Sequence, residues 1–133
     1  MSIAVYNLPM TTISEIKLIH SYNELMAARD CREADIKQVL AQIGASTICA
    51  TAGSMRRVYK VTNIYGEYCG VILYLGGSRF IEIVLDWDDT YSVRRLRQIN
   101  RGSNKGGFIV EYQVSGIYCD QVSEITYKAG CWK

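Results

Sequence analysis

Proline and histidine are the scarcest residues of this 133-residue chain, with one of each, Pro9 and His20. So little proline, beside an apolar fraction of 49% and a charged fraction of 21%, argues against a disordered or low-complexity chain. One histidine, with no supporting residues near it in sequence, excludes a local catalytic triad or a typical zinc site, and His20 reads as a packed or half-exposed side chain. Charge of one sign is lacking too. The net charge of +2 is far below the footprint of a strongly basic nucleic-acid-binding domain, so any such role must come from local clustering.

Long hydrophobic runs are also missing. No stretch approaches membrane-spanning length, and Met1 to Tyr6 does not lead from a basic region into an apolar one, so neither a membrane span nor a signal peptide is expected. Cys31, Cys49, Cys69, Cys119 and Cys131 are odd in number and form no C-x-x-C. That spacing suits neither a zinc ribbon nor a redox motif, and predicts five reduced thiols in a cytoplasmic protein, of its own cell or of a host. Phosphate loops, nucleophile elbows and kinase-type motifs are absent. Gly102 to Gly107 holds one cation, Lys105, but departs from G-x-x-x-x-G-K-[ST] and leads into a strand pattern, so it reads as a return loop.

What is present describes a single domain over residues 1–133, of α+β class. Two N-terminal helices are expected on one face of a mostly antiparallel sheet of five to six strands. The first helix is read over Ile13 to Arg29, where capping boxes at Thr12-Ile13-Ser14-Glu15 and Ser21-Tyr22-Asn23-Glu24 allow either one continuous helix or a short element ending near His20 and a helix from Ser21. The second is capped at Asp30-Cys31-Arg32-Glu33, carries Ile36, Val39, Leu40 and Ile43 on one stripe, and stops at Gly44. From Ser46 the period changes to two. Two tight turns, centred on Gly66-Glu67 and Gly76-Gly77, predict a register with Val61, Ile72 and Ile81 abreast under the helices. Later strands are expected over Phe108 to Ile117 and Glu124 to Tyr127, with Glu111 pointing away from the side of Phe108, Val110 and Tyr112.

Roughly twenty residues separate the third strand from Phe108, long for a plain connection. Ser92 caps an expected short helix, Val93 to Asn100, within this insert. Val93, Leu96 and Ile99 share one side of it, and Arg94, Arg97 and Arg101 form a stripe elsewhere on the wheel. Guanidiniums in a row suit phosphate or carboxylate, so Arg94, Arg97 and Arg101, with Lys105, are the candidate partner-binding residues. The plain alternative is a solvated helix face with Asp88 and Asp89 beside it. Arg56 and Arg57 open a strand and should point to opposite faces.

These features lead to a small non-enzymatic binding protein whose partner is a protein with an acidic surface. An inhibitor or accessory factor of a mobile element, phage or plasmid, is the form this takes for a small chain without catalytic motifs. Nucleic acid held by the arginine stripe is the second reading. A metal-dependent enzyme centred on Asp86, Asp88 and Glu111, with Asp89 beside them in sequence, is the third. There an acid at a strand end followed by Glu-x-Gln is similar to the carboxylate-and-lysine site of restriction-type nucleases, but Gln113 stands where the lysine belongs and the parallel β-α-β context is missing. No cofactor is expected.

Overall fold

The computed structural model describes residues 30–103, 105 and 107–131, so the helix expected over Ile13 to Arg29 lies outside the described residues. Among the described residues two helices come first, α1 (Ile36–Ile43) and α2 (Ala45–Thr51), followed by a 3-10 turn at Met55–Arg57. Five strands follow, β1 (Val58–Thr62), β2 (Tyr68–Gly76), β3 (Arg79–Leu85), β4 (Tyr91–Gln98) and β5 (Phe108–Ile117), then α3 (Val122–Cys131). The sheet is antiparallel throughout, in the order β1-β2-β3-β4-β5. The fold is therefore α+β, with the helices on one face of a five-stranded sheet.

The expected stripe holds in α1, where Val39 and Ile43 are buried and Ile36 and Leu40 pack beside them. The cap moves to Asp35, whose carboxylate accepts the Lys37 N–H at 3.1 Å. Gly44 ends the helix at φ 88° with its N–H donating to Leu40 O, but the chain turns at once into α2 where a strand was expected. At the other end, Glu124 to Tyr127 belongs to α3 and not to a strand. Val122, Ile125, Thr126 and Ala129 fall on one buried stripe, and Glu124 and Lys128 pair across one turn at 2.9 Å.

The register differs from the expected one because both turns differ. Between β1 and β2 the loop runs over residues 63–67. Buried Asn63 organises it, its Oδ1 accepting from the N–H groups of Tyr65 and Glu67 while its Nδ2 donates to Cys31 O. Between β2 and β3 the central pair is Gly77-Ser78, at φ 60° and 65°, a mirror-image turn shifted one residue from the expected centre. A one-residue slip sends side chains to the opposite face. Ile72 thus faces Tyr59 and Glu82, and Leu73 faces Val58 and Ile81. The three residues expected abreast are not abreast.

Both faces of the sheet are buried. Under the helices, Val71, Leu73, Ile81, Ile83, Val93 and Tyr112 meet Val39, Ile43, Ile48, Val122, Ile125 and Ala129. On the other face Ile72, Phe80, Val84, Leu96 and Phe108 cluster with Cys31, Val61 and Cys69. This explains why β2 and β3 read as near-continuous apolar runs, since a strand covered on both faces loses its alternation. Glu82, fully buried in β3, is accepted there because Arg94 of β4 donates to it from Nε and Nη2 at 2.6 Å each. Burial pulls the Arg94 guanidinium down, and Glu82, with Asp86 and Cys31 adding to it, holds it above its ordinary value. No disulfide joins any of the five cysteines. Cys31 and Cys69 are buried, and Cys49, Cys119 and Cys131 are exposed.

Candidate functional site

The insert expected to hold a helix is mostly strand. Residues Tyr91–Gln98 form β4, pairing with β3 on one side and β5 on the other. Spacing of three between Val93, Leu96 and Ile99 suits a helix, but in a strand it splits them. Val93 joins the cluster under the helices and Leu96 the cluster on the opposite face. The arginines split in the same way. Arg94 turns to Glu82 on the second face and does not reach the candidate site, while Arg97 projects on the helix side near the end of the sheet.

What gathers around Arg97 was only partly foreseen. Arg79, the first residue of β3, lies directly across from it, and Arg95 stands two residues before it on the same face. All three guanidiniums reach one carboxylate. Glu111 accepts from Arg95 Nε and Arg97 Nε at 3.2 Å each and lies 3.5 Å from Arg79 Nε. Glu111 takes this place because the β4–β5 ladder slips between Arg95 and Leu96: Arg95 pairs with Tyr112 and Leu96 with Val110. The extra residue of such a bulge is re-aimed, which brings Glu111 to the side of Tyr112, against the strict alternation expected of β5.

Arg95 is a structural member of the group. It is buried, and its Nη1 donates to Ala129 O in the last turn of α3 at 2.7 Å, fastening that helix to the sheet. Arg79 and Arg97 are each nearly half exposed. Beyond them the β4–β5 loop brings Arg101, exposed and, among the described residues, with no carboxylate bound to it. Arg79, Arg97 and Arg101 line one cleft of about 660 Å³, with Ser78, Asn100 and Ser103 as further polar walls and Ile99 and Ile109 as apolar ones.

The cleft is held in shape by hydrogen bonds. Gln98 N–H donates to Ser78 O at 2.8 Å, Ile99 N–H to Gly107 O at 2.8 Å, and Asn100 Nδ2 to Ser78 Oγ at 2.6 Å, which ties the loop to the β2–β3 turn. Lys105 is exposed in that loop, its N–H donating to Gly102 O. Of the four residues expected to bind a partner, then, Arg97 and Arg101 share a cleft, Lys105 stands in the same loop, and Arg94 is elsewhere. Arg79 was missed. Its signal was its place beside a turn, which becomes informative only when the strand it faces is known.

The carboxylates of the third reading do not converge. Asp86, Asp88 and Asp89 occupy the β3–β4 loop, at the end of the sheet opposite the cleft, far from Glu111. Asp86 accepts from Ser92 Oγ, and Asp88 accepts from the Thr90 hydroxyl at 2.6 Å and the Thr90 N–H at 3.1 Å. Those bonds, the hydroxyl first, hold the Asp88 carboxyl below its ordinary range. Among the described residues no group of three or more histidine, cysteine, aspartate or glutamate side chains could hold a metal ion, and no helix is long and apolar enough to cross a membrane.

No family model matches the chain, and neither a curated protein nor a solved structure matches it.

Proposed function

We propose that this chain is a binding protein that takes an acidic protein surface in the cleft formed by Arg79, Arg97 and Arg101. The observation that carries the reading is the convergence of these arginines from two strands and a loop, in a cleft whose shape backbone and side-chain hydrogen bonds maintain. Among the described residues Glu111 is the carboxylate that pairs with Arg79, Arg95 and Arg97, and none pairs with Arg101, so the described cleft carries an excess of positive charge. Guanidiniums present paired donors that match carboxylates, and arginine is prominent among residues that dominate interfaces.

Glu111 also favours protein over nucleic acid. A carboxylate at the centre of the arginines repels phosphates held at the fixed spacing of a nucleic-acid backbone, whereas carboxylates on flexible peptide side chains can settle on the outer arginines and leave it clear. An inhibitor or accessory role for a phage or plasmid is the finer form of this reading, and rests on small size and the lack of catalytic motifs. A cytoplasmic setting fits five unbridged thiols.

The test is a pair of titrations of the full chain, with a labelled oligo-glutamate peptide and with a labelled single-stranded oligonucleotide of equal formal charge. The peptide is expected to bind more tightly, with affinity falling as salt rises. Tighter binding of the oligonucleotide, with a steep salt slope, would transfer the cleft to nucleic acid. Binding of neither at low salt overturns the reading.

A further inference from the structure

The two ends of the sheet carry opposite charge. At the end holding the cleft, the segments 53–57, 77–78 and 99–107 contribute Arg56, Arg57, Arg101 and Lys105 and no acid, and Arg79 and Arg97 stand at the adjoining strand tips. At the other end, the loops 63–67, 86–90 and 118–121 contribute Glu67, Asp86, Asp88, Asp89 and Asp120, and the segment beside them adds Asp30 and one arginine, Arg32, paired with Asp89, so acids outnumber bases six to one. A strand as long as β2 keeps these ends roughly 25–30 Å apart.

The acidic end is also where exposed apolar side chains collect. Ile64, Tyr65, Tyr68, Trp87 and Tyr118 are all there, and Tyr65 and Trp87 remain 58% and 57% exposed. These two rings are fixed in place. Trp87 Nε1 donates to Asp30 Oδ1 at 2.8 Å and the Tyr65 hydroxyl donates to the same oxygen at 3.2 Å, with the rings edge to face at 6.4 Å. Their polar atoms are thus used internally while much of the ring surface meets water. A rigid aromatic pair within an acidic rim suits a surface rich in arginine, because guanidiniums stack on aromatic faces and pair with the carboxylates around them.

This chain carries such a surface at its own opposite end. We propose that the Tyr65–Trp87 face is the docking site for the arginine end of a second copy, giving a head-to-tail association. The inference rests on the cleft accepting anionic surfaces, as proposed above, and names one such surface. Because the two patches differ, the contact is heterologous: each copy keeps one unsatisfied end and the assembly grows in a line. Both the charges and the rings lie in loops and strand tips, so association needs no rearrangement of the core.

Sedimentation velocity of the full chain at low and high salt tests this. At low salt the average mass should rise with protein concentration above the 15.0 kDa of one chain, and at high salt it should return to it. Trp87→Ala, or Tyr65→Ser as a second variant of the same face, should remain monomeric, and so should the double change Arg79→Ala with Arg101→Ala. Circular dichroism confirms that each variant is folded. Mixing Trp87→Ala with the double arginine variant leaves one intact surface on each partner, and dimers should form and grow no further. A monomeric parent chain at low salt overturns the proposal, as does a folded variant of either end that associates as the parent does, or a mixture that forms no dimer. Oligo-glutamate binding by a chain that stays monomeric removes this inference and leaves the acidic-partner reading standing. Loss of both removes the reading as well.

Discussion

Gly70→Ala is expected to prevent folding or to lower stability by more than about 4 kcal/mol, beyond the range of ordinary single changes. Gly70 lies inside β2, opposite Val61 of β1 and Val84 of β3. A Cβ at this position would stand 2.0 Å from Ile83 O and 2.8 Å from the Val84 Cα. These are backbone atoms of the neighbouring strand, and β3 is held on its far side by seven residue pairs with β4, so retreat would disturb a second ladder. Side-chain repacking relieves most overpacked cores at a cost of about 1–3 kcal/mol, but a backbone contact has no rotamer to change. Urea unfolding followed by circular dichroism measures the loss. A Gly70→Ala protein as stable as its parent would contradict the close approach of β2 and β3.

Replacing Arg79, Arg97 and Arg101 together with alanine is expected to weaken oligo-glutamate binding by at least about 100-fold, or roughly 2.7 kcal/mol, while leaving the fold intact. An arginine at the centre of an interface can be worth about 2 kcal/mol or more, and three sharing one cleft act on the same ligand, so their effects need not add. Stability should hardly move. Arg79 and Arg97 are nearly half exposed, where ion pairs contribute little, and Glu111 keeps Arg95, the buried partner that also holds Ala129 O. Calorimetric titration and a thermal melt separate the two effects. Unchanged affinity would make the three arginines a solvated rim. Collapse of the fold would make them structural supports of Glu111.

Arg94 shows why the sequence of the insert points to a helix. Strand β4 places Arg94 on one buried face and Arg95 on the other, an arrangement that is expensive unless each finds a carboxylate. The carboxylates come from Glu82, twelve residues back, and Glu111, sixteen residues on. No local pattern announces such pairs, and the remaining apolar residues, Val93, Leu96 and Ile99, fit a helical period by coincidence. Where burial is one-sided, as for Ile36, Val39, Leu40 and Ile43 of α1, the period was legible and the element was found.

Glu111 marks the limit for the site. Arg97 and Arg101 were visible as a local basic cluster, and Lys105 as a cation in their loop. That Arg79 faces Arg97 depends on the turn at Gly77-Ser78, where the sequence Leu75-Gly76-Gly77-Ser78 allows more than one glycine to take the first central position. That Glu111 points toward them depends on a bulge in β5, set by pairing across strands and not by the residues of β5 alone. The acidic loops and their exposed rings were likewise legible one by one, but their shared end of the sheet appears only with the topology.

Titration of the isotopically labelled chain with oligo-glutamate, following the arginine Nε–Hε and backbone amide signals by NMR, locates the binding surface directly. In the Tyr65→Ser variant, which keeps the cleft and is expected to be monomeric, shifts should concentrate on Arg79, Arg97 and Arg101 and on the amides of residues 77–79 and 97–103, with the β3–β4 loop around Trp87 unmoved. Shifts centred on any other surface, or none at saturating peptide, would contradict the assignment of this cleft.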